Sequence, residues 1–194
     1  MRFVEHWTIG KDALSTRRSF AYQLGSILPD WFERKPIHRW KDNKDRFLKK
    51  ASMVRELPPG FKRDWTLGTL AHYVCDYCCM AHNEEYYRYV RHRIYEVQSQ
   101  KFFKREHKRN GLKIYRIRAE YLPEPPAPTG IFEADVAALV ETWVGKLHER
   151  IDALNSPQWY RDERCMSLDI RYAHALLRAL LTLLSDEGGT AADV

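Results

Sequence analysis

The chain has no long hydrophobic run. Nowhere do about eighteen apolar residues follow one another, the length a membrane-spanning helix needs, so no span is predicted. The opening MRFVEHWTIGKDALSTRRSF lacks an uninterrupted apolar core and a small-residue cleavage site. It reads as free of a signal peptide, and a cytoplasmic location is the expectation. Cysteine is scarce: Cys75, Cys78, Cys79 and Cys165 are the four present. The step from Cys75 to Cys78 has no second Cys-x-x-Cys to complete a four-cysteine zinc site, so small buried thiols in a reduced compartment are expected. Also missing are an internal repeat, a P-loop, a glycine-rich dinucleotide fingerprint and a Gly-x-Ser-x-Gly elbow, which removes the corresponding nucleotide and serine-hydrolase chemistries.

What is present is a globular composition. Apolar residues make up 44% of the 194, with six Trp, eleven Tyr and eight Phe as packing groups, which is enough for one real core. One domain over residues 1–186 and a flexible tail over 187–194 are expected. The net charge of +6, counted with all eight His neutral, favours an anionic partner: phosphate, a lipid headgroup or nucleic acid.

Periodicity predicts an all-α fold. A helix is expected through 11–25, with Gly25 terminating it and Pro29 preventing continuation. KDNKDRFLKKASMVREL over 41–57 is amphipathic and charged, and Pro58-Pro59-Gly60 ends it. The next helix begins near Asp64, with Asp64 or Thr66 as its cap. A break is expected at 80–83, with Asn83 capping the following helix. In the basic segment KFFKREHKRNGLK, 101–113, Phe102 or Phe103 tucking into the core is preferred over a lipid-facing patch, and His107 is expected to be exposed. YLPEPPAPTG, 121–130, cannot be regular structure. Apolar positions from Phe132 to Leu154 mark another helix, and Ser156-Pro157 signals the start of the last. His148 and His174 read as structural.

The chain is organised around residues 64–96, DWTLGTLAHYVCDYCCMAHNEEYYRYVRHRIYE. From Trp65 to Asn83 one side chain carries formal charge, Asp76, and His72 lies one helical turn before it on the same face. A lone carboxylate in an apolar helix is costly to bury without a neutralising partner, and a metal ion is one. His92 and Glu96 repeat the spacing, with His82 between the two pairs. Imidazole and carboxylate are ordinary zinc ligands, so this is a metal-site constellation.

The run LGTLAHYVCDYCCMAHN, the pair His92-x3-Glu96, and the earlier pieces GSILPDW and PIHRW together resemble the bacterial zinc-dependent phospholipase C family, with the zinc-dependent single-strand nucleases as more distant relatives. The resemblance covers roughly the first half of the chain. It implies a helical protein with a trinuclear-type zinc cleft, two to three Zn2+ ions in this chain, and hydrolysis of phosphoric esters. It further implies that His38, His72 and Asp76 hold one zinc and His82, His92 and Glu96 a second. Asp76 would bridge to a third near His6, and Asp30, itself a base or ligand for water, would stand over the attacking water. Larger secreted members hold that third ion with an N-terminal Trp and a following His, whereas this chain begins with Met1 and offers only His6 there.

The implied activity is cleavage of a phospholipid by metal-activated water, with possible peripheral contact to an anionic membrane. Two other readings follow from the same residues. One is a single-strand nuclease or nucleotidase using the same ions. The other is a non-enzymatic helical module that keeps zinc for stability and binds anionic partners through its basic face.

Overall fold

The computed structural model describes residues 3–14, 19–29, 39–82, 86 and 88–185. Asn83 and the tail 187–194 therefore lie outside the described residues. Among those described, all regular structure is helical and no strand occurs. The α-helices are α1 (Phe3–Leu14), α2 (Phe20–Ile27), α3 (Trp40–Glu56), α4 (Phe61–Tyr77), α5 (Tyr89–Asn110), α6 (Phe132–Ala153) and α7 (Glu163–Ser185). They form one compact domain around a shared core that includes Phe47, Tyr73, Tyr95, Leu147, Ile170 and Leu176. Among the described residues no helix is long and apolar enough to cross a membrane.

Helix α4 occupies the centre. Every residue from Thr69 to Tyr77 is buried, so it packs on all sides, unlike the amphipathic helices around it. Its closest neighbour is α2, and glycine makes that approach possible. A Cβ on Gly25 would fall 2.2 Å from the Trp65 carbonyl oxygen, and one on Gly68 would fall 2.2 Å from the Tyr22 carbonyl oxygen. Backbone meets backbone here, which any larger residue would prevent.

That contact corrects the expectation for Gly25, which sits buried inside α2. The expected helix over 11–25 is in fact two: α1 ends at Leu14, and α2 restarts where the Ser19 side chain accepts the Tyr22 N–H as an N-cap. The start of α4 is also earlier than expected. Gly60 stands in the cap position, and the Thr66 hydroxyl bonds the Lys62 carbonyl instead.

The later helices follow their apolar periodicity closely. Both Phe102 and Phe103 are buried, so the basic end of α5 turns its aromatics inward. His107 departs from expectation: it is half-buried, with its Nε2 2.9 Å from Asp12 Oδ2. The Pro-rich connector after Tyr121 is irregular, as its composition demands. Ser156-Pro157 does not begin α7. A short 3-10 turn, Trp159–Arg161, intervenes, and Asp162 accepts the Arg164 N–H at the true start. The four cysteines are free and buried.

Candidate metal centre

Three pieces of chain converge beside α4. Helix α1 brings His6, α4 brings His72 and Asp76 one turn apart, and α5 brings His92 and Glu96 one turn apart. His82 arrives by a break. Helix α4 stops at Tyr77, Cys78 N–H returns to the Val74 carbonyl and Cys79 N–H to the Asp76 carbonyl. A 3-10 turn, Met80–His82, then folds back over the helix end. Six residues of continued helix would place His82 well round from Asp76. The turn places His82 Nδ1 3.4 Å from Asp76 Oδ1 instead.

Asp76 is the hub. Its Oδ1 lies 3.3 Å from His6 Nε2, and its Oδ2 lies 3.4 Å from His72 Nε2. The rings of His6 and His72 stack at 4.3 Å. The donor atoms of His6, His72 and Asp76 all lie within 4.8 Å of one another, and so do those of His82, His92 and Glu96. His92 Nε2 is 3.7 Å from Glu96 Oε1, and the His82 and His92 rings are 5.0 Å apart. Two three-donor groups thus touch through His82 and Asp76.

The donor atoms fit a zinc ion. A tetrahedral site with bonds of ~2.0–2.1 Å separates its ligand atoms by roughly 3.3 Å. The separations around Asp76 match this, and they are longer than a well-formed hydrogen bond. The tautomer of His72 adds a second test. Its Nδ1 lies 3.1 Å from the Ser26 carbonyl oxygen, which can only accept, so Nδ1 carries the proton. In a neutral ring the Nε2 lone pair then faces the Asp76 carboxylate, and a bound cation would relieve that contact between two acceptors. Burial alone would push the Asp76 carboxyl up, but His82, His72 and His6 outweigh it and hold the group well below the usual carboxylate range. Burial holds the His82 imidazole well below its ordinary value despite Asp76, and it lowers His92 despite Glu96. Neutral imidazole is the form that ligates metal.

Further contacts fix the donors in place. Arg93 Nη1 reaches Glu96 Oε2 at 3.3 Å, which leaves Oε1 facing His92. Arg39 Nε donates to the His82 carbonyl at 2.8 Å. Asp30 and His38 lie outside the described residues.

Two carboxylates escaped the sequence reading. Glu5, fully buried on α1 beside His6, accepts a 2.5 Å hydrogen bond from Ser99 Oγ on α5. Asp169, fully buried on α7, accepts at Oδ2 from Met80 N–H at 2.9 Å and from Tyr95 O–H at 2.5 Å. One side chain of the last helix therefore tethers both the turn that carries His82 and the helix that carries His92 and Glu96. Its signal was in the sequence: Asp169 is a single acid within the buried stripe of Cys165, Met166, Ile170 and Ala173, the pattern that singled out Asp76.

Searches of curated proteins and of solved structures return no match. A family model described as zinc dependent phospholipase C matches residues 6–143, a segment that contains every histidine and carboxylate of both donor groups. That match spans well over half of the chain, and the chain belongs to the zinc-dependent phospholipase C family.

Proposed function

We propose that the chain is a phosphodiester hydrolase that binds about two to three zinc ions and cleaves a phospholipid on the glycerol side of its phosphate. The ligands are His6, His38, His72, Asp76, His82, His92 and Glu96, with Asp30 serving as a ligand and as the base over the attacking water. The observation that carries this reading is the pair of contiguous donor groups joined through His82 and Asp76.

When bound, zinc supplies neutralisation of the phosphodiester charge, Lewis acidity at a phosphoryl oxygen and activation of water. The chain does the rest. Asp76 spreads one negative charge across three imidazoles and so limits repulsion within the site. Ser26 fixes the proton of His72 on Nδ1 and keeps Nε2 available. Asp30 takes the proton released as water attacks phosphorus. His92 and Glu96, at 8% exposure each, lie nearer the surface than His6 and His72, at 0%.

The first turn of α5 favours a lipid surface over a free ester. Tyr89 and Val90, three and two residues ahead of His92, are 65% and 67% exposed, with Arg88 and Arg91 beside them. Exposed aromatic and apolar groups among arginines suit an anionic headgroup region. The basic charge supports the nuclease or nucleotidase reading as well, and one experiment separates the two. Zinc-loaded protein is assayed with a phosphatidylcholine-type lipid, single-stranded DNA and 3′-nucleotides, each with and without chelator. Chelator-sensitive release of a phosphorylated headgroup is the expected result. Faster cleavage of DNA or 3′-nucleotides overturns the lipid reading.

A further inference from the structure

We propose a second ligand site, remote from the histidine groups, that takes an amphiphile with a phosphate headgroup. It lies in the groove between α5, α6 and α7, a cavity of about 450 Å3. Its floor is apolar, from Phe102, Leu154 and Leu168, and its rim carries Arg150, Arg171 and Ser167. None of these residues belongs to either histidine group.

The two arginines carry the inference. Arg150 donates from Nη2 to the Glu120 carbonyl at 2.7 Å and lays its guanidinium on the Tyr121 ring at 4.5 Å. Its Nε is buried without a hydrogen-bond partner. Arg171 donates from Nε to the Ile114 carbonyl at 3.3 Å. Both are half-buried, both bond neutral oxygens, and among the described residues neither meets a carboxylate. The nearby acids are already engaged: Asp162 with Arg164 at 2.7 Å and Glu163 with Arg105 at 2.8 Å.

Glu163 and Arg164 also line the cavity, but each is paired, with Arg105 and Asp162, so the Arg150 and Arg171 guanidinium charges keep no carboxylate of their own and an anion can offset them. The planar guanidinium fork matches phosphate oxygens, and Ser167 adds a hydroxyl donor. The apolar floor calls for a chain attached to that phosphate, because a free anion would leave Phe102, Leu154 and Leu168 against water.

The test is calorimetric titration of the zinc-loaded full chain with octylphosphonate, whose carbon–phosphorus bond offers no ester to hydrolyse. Inorganic phosphate and octyl glucoside serve as the two half-ligands. Octylphosphonate is expected to bind at least about tenfold more tightly than either. Arg171→Gln keeps a donor near the Nε position for the Ile114 carbonyl, Arg150→Gln gives up the bond that the more distant Nη2 makes to the Glu120 carbonyl, and both remove the charge. Each is expected to weaken octylphosphonate roughly tenfold or more at unchanged zinc content. Leu168→Asn, which touches neither arginine contact, should weaken octylphosphonate and leave phosphate unaffected. Inorganic phosphate binding as tightly as octylphosphonate, or unchanged affinity in both Gln variants, overturns the proposal. The readout is binding alone, so absence of lipid turnover would count against the hydrolase reading and leave this site standing.

Discussion

The two donor groups differ in depth. His6, His72 and Asp76 are at 0–1% exposure, walled in by α1, α2 and α4, while His82, His92 and Glu96 are at 4–8% where a turn meets the start of α5. The first group rests on backbone-to-backbone packing at Gly25 and Gly68, and the second on side-chain tethers from Arg39, Arg93 and Asp169. A metal held by the interior group is part of the core, so its loss is a folding event. A metal held by the outer group is held by contacts that can be removed singly, so its loss is mainly a loss of affinity and chemistry.

The largest effect should come from the hub. Asp76→Asn keeps shape and hydrogen bonding but removes the charge shared by three imidazoles. We expect the loss of about one or two zinc ions, a lower Tm without chelator, and hydrolysis reduced by about a thousandfold or more. Chelated wild type should behave like the variant. Elemental analysis with paired thermal melts checks this, and a variant with its full zinc complement removes Asp76 from the ligand set.

Next is Glu96→Gln at the outer group. It should cost roughly a hundredfold or more in zinc affinity at that group and most of the activity. The Tm of the chelated protein should move little, because Glu96 borders solvent and already shares an oxygen with Arg93. Chelator competition and melts read the two quantities separately. An apo Tm that falls as far as that of Asp76→Asn would erase the contrast between the groups.

Gly68→Ala probes the interior scaffold without touching a donor. The added methyl meets the Tyr22 carbonyl, so α2 and α4 must part, at a cost of ~1–3 kcal/mol. Urea unfolding should show that loss, with zinc stoichiometry retained well below the midpoint.

The outer helices and most residues of the two donor groups were legible because the signals are local. Apolar spacing marks α3 and α6, and an acid in an apolar run marks Asp76. What escaped depends on distant chain. Gly25 looks like a helix terminator in isolation, yet its missing side chain is what admits the Trp65 carbonyl. The α1–α2 division shows only as the Ser19 cap, which the continuous helical pattern of 11–25 masks. Asp169 carried the same mark as Asp76 but had no neighbouring histidine to draw notice. Its partners lie 74 and 89 residues away.

Asp169 gives the most specific effect, one that vanishes at acid pH. Burial raises its carboxyl to about 8, against the lowering influence of Tyr95 and the Met80 N–H. A raised folded pKa stabilises fully below the ordinary carboxylate range, where both states hold the proton. As pH climbs toward 8 the unfolded chain releases that proton and the folded chain retains it, so this contribution falls by at most ~1.4 kcal/mol per pH unit. Asp169→Asn keeps an oxygen for both donors and has no proton to lose. It should match wild type near pH 4 and gain on it steadily toward pH 8, with zinc retained at the outer group. Asp169→Leu abolishes both tethers and should loosen the Met80–His82 turn, which weakens zinc at His82, His92 and Glu96 while His6, His72 and Asp76 keep theirs. Urea melts across the pH range and chelator competition on both variants provide the check. A constant offset between wild type and Asn at every pH would mean that the Asp169 carboxyl is not raised in the folded protein, and equal zinc affinity in Leu would mean that the outer group does not depend on the last helix.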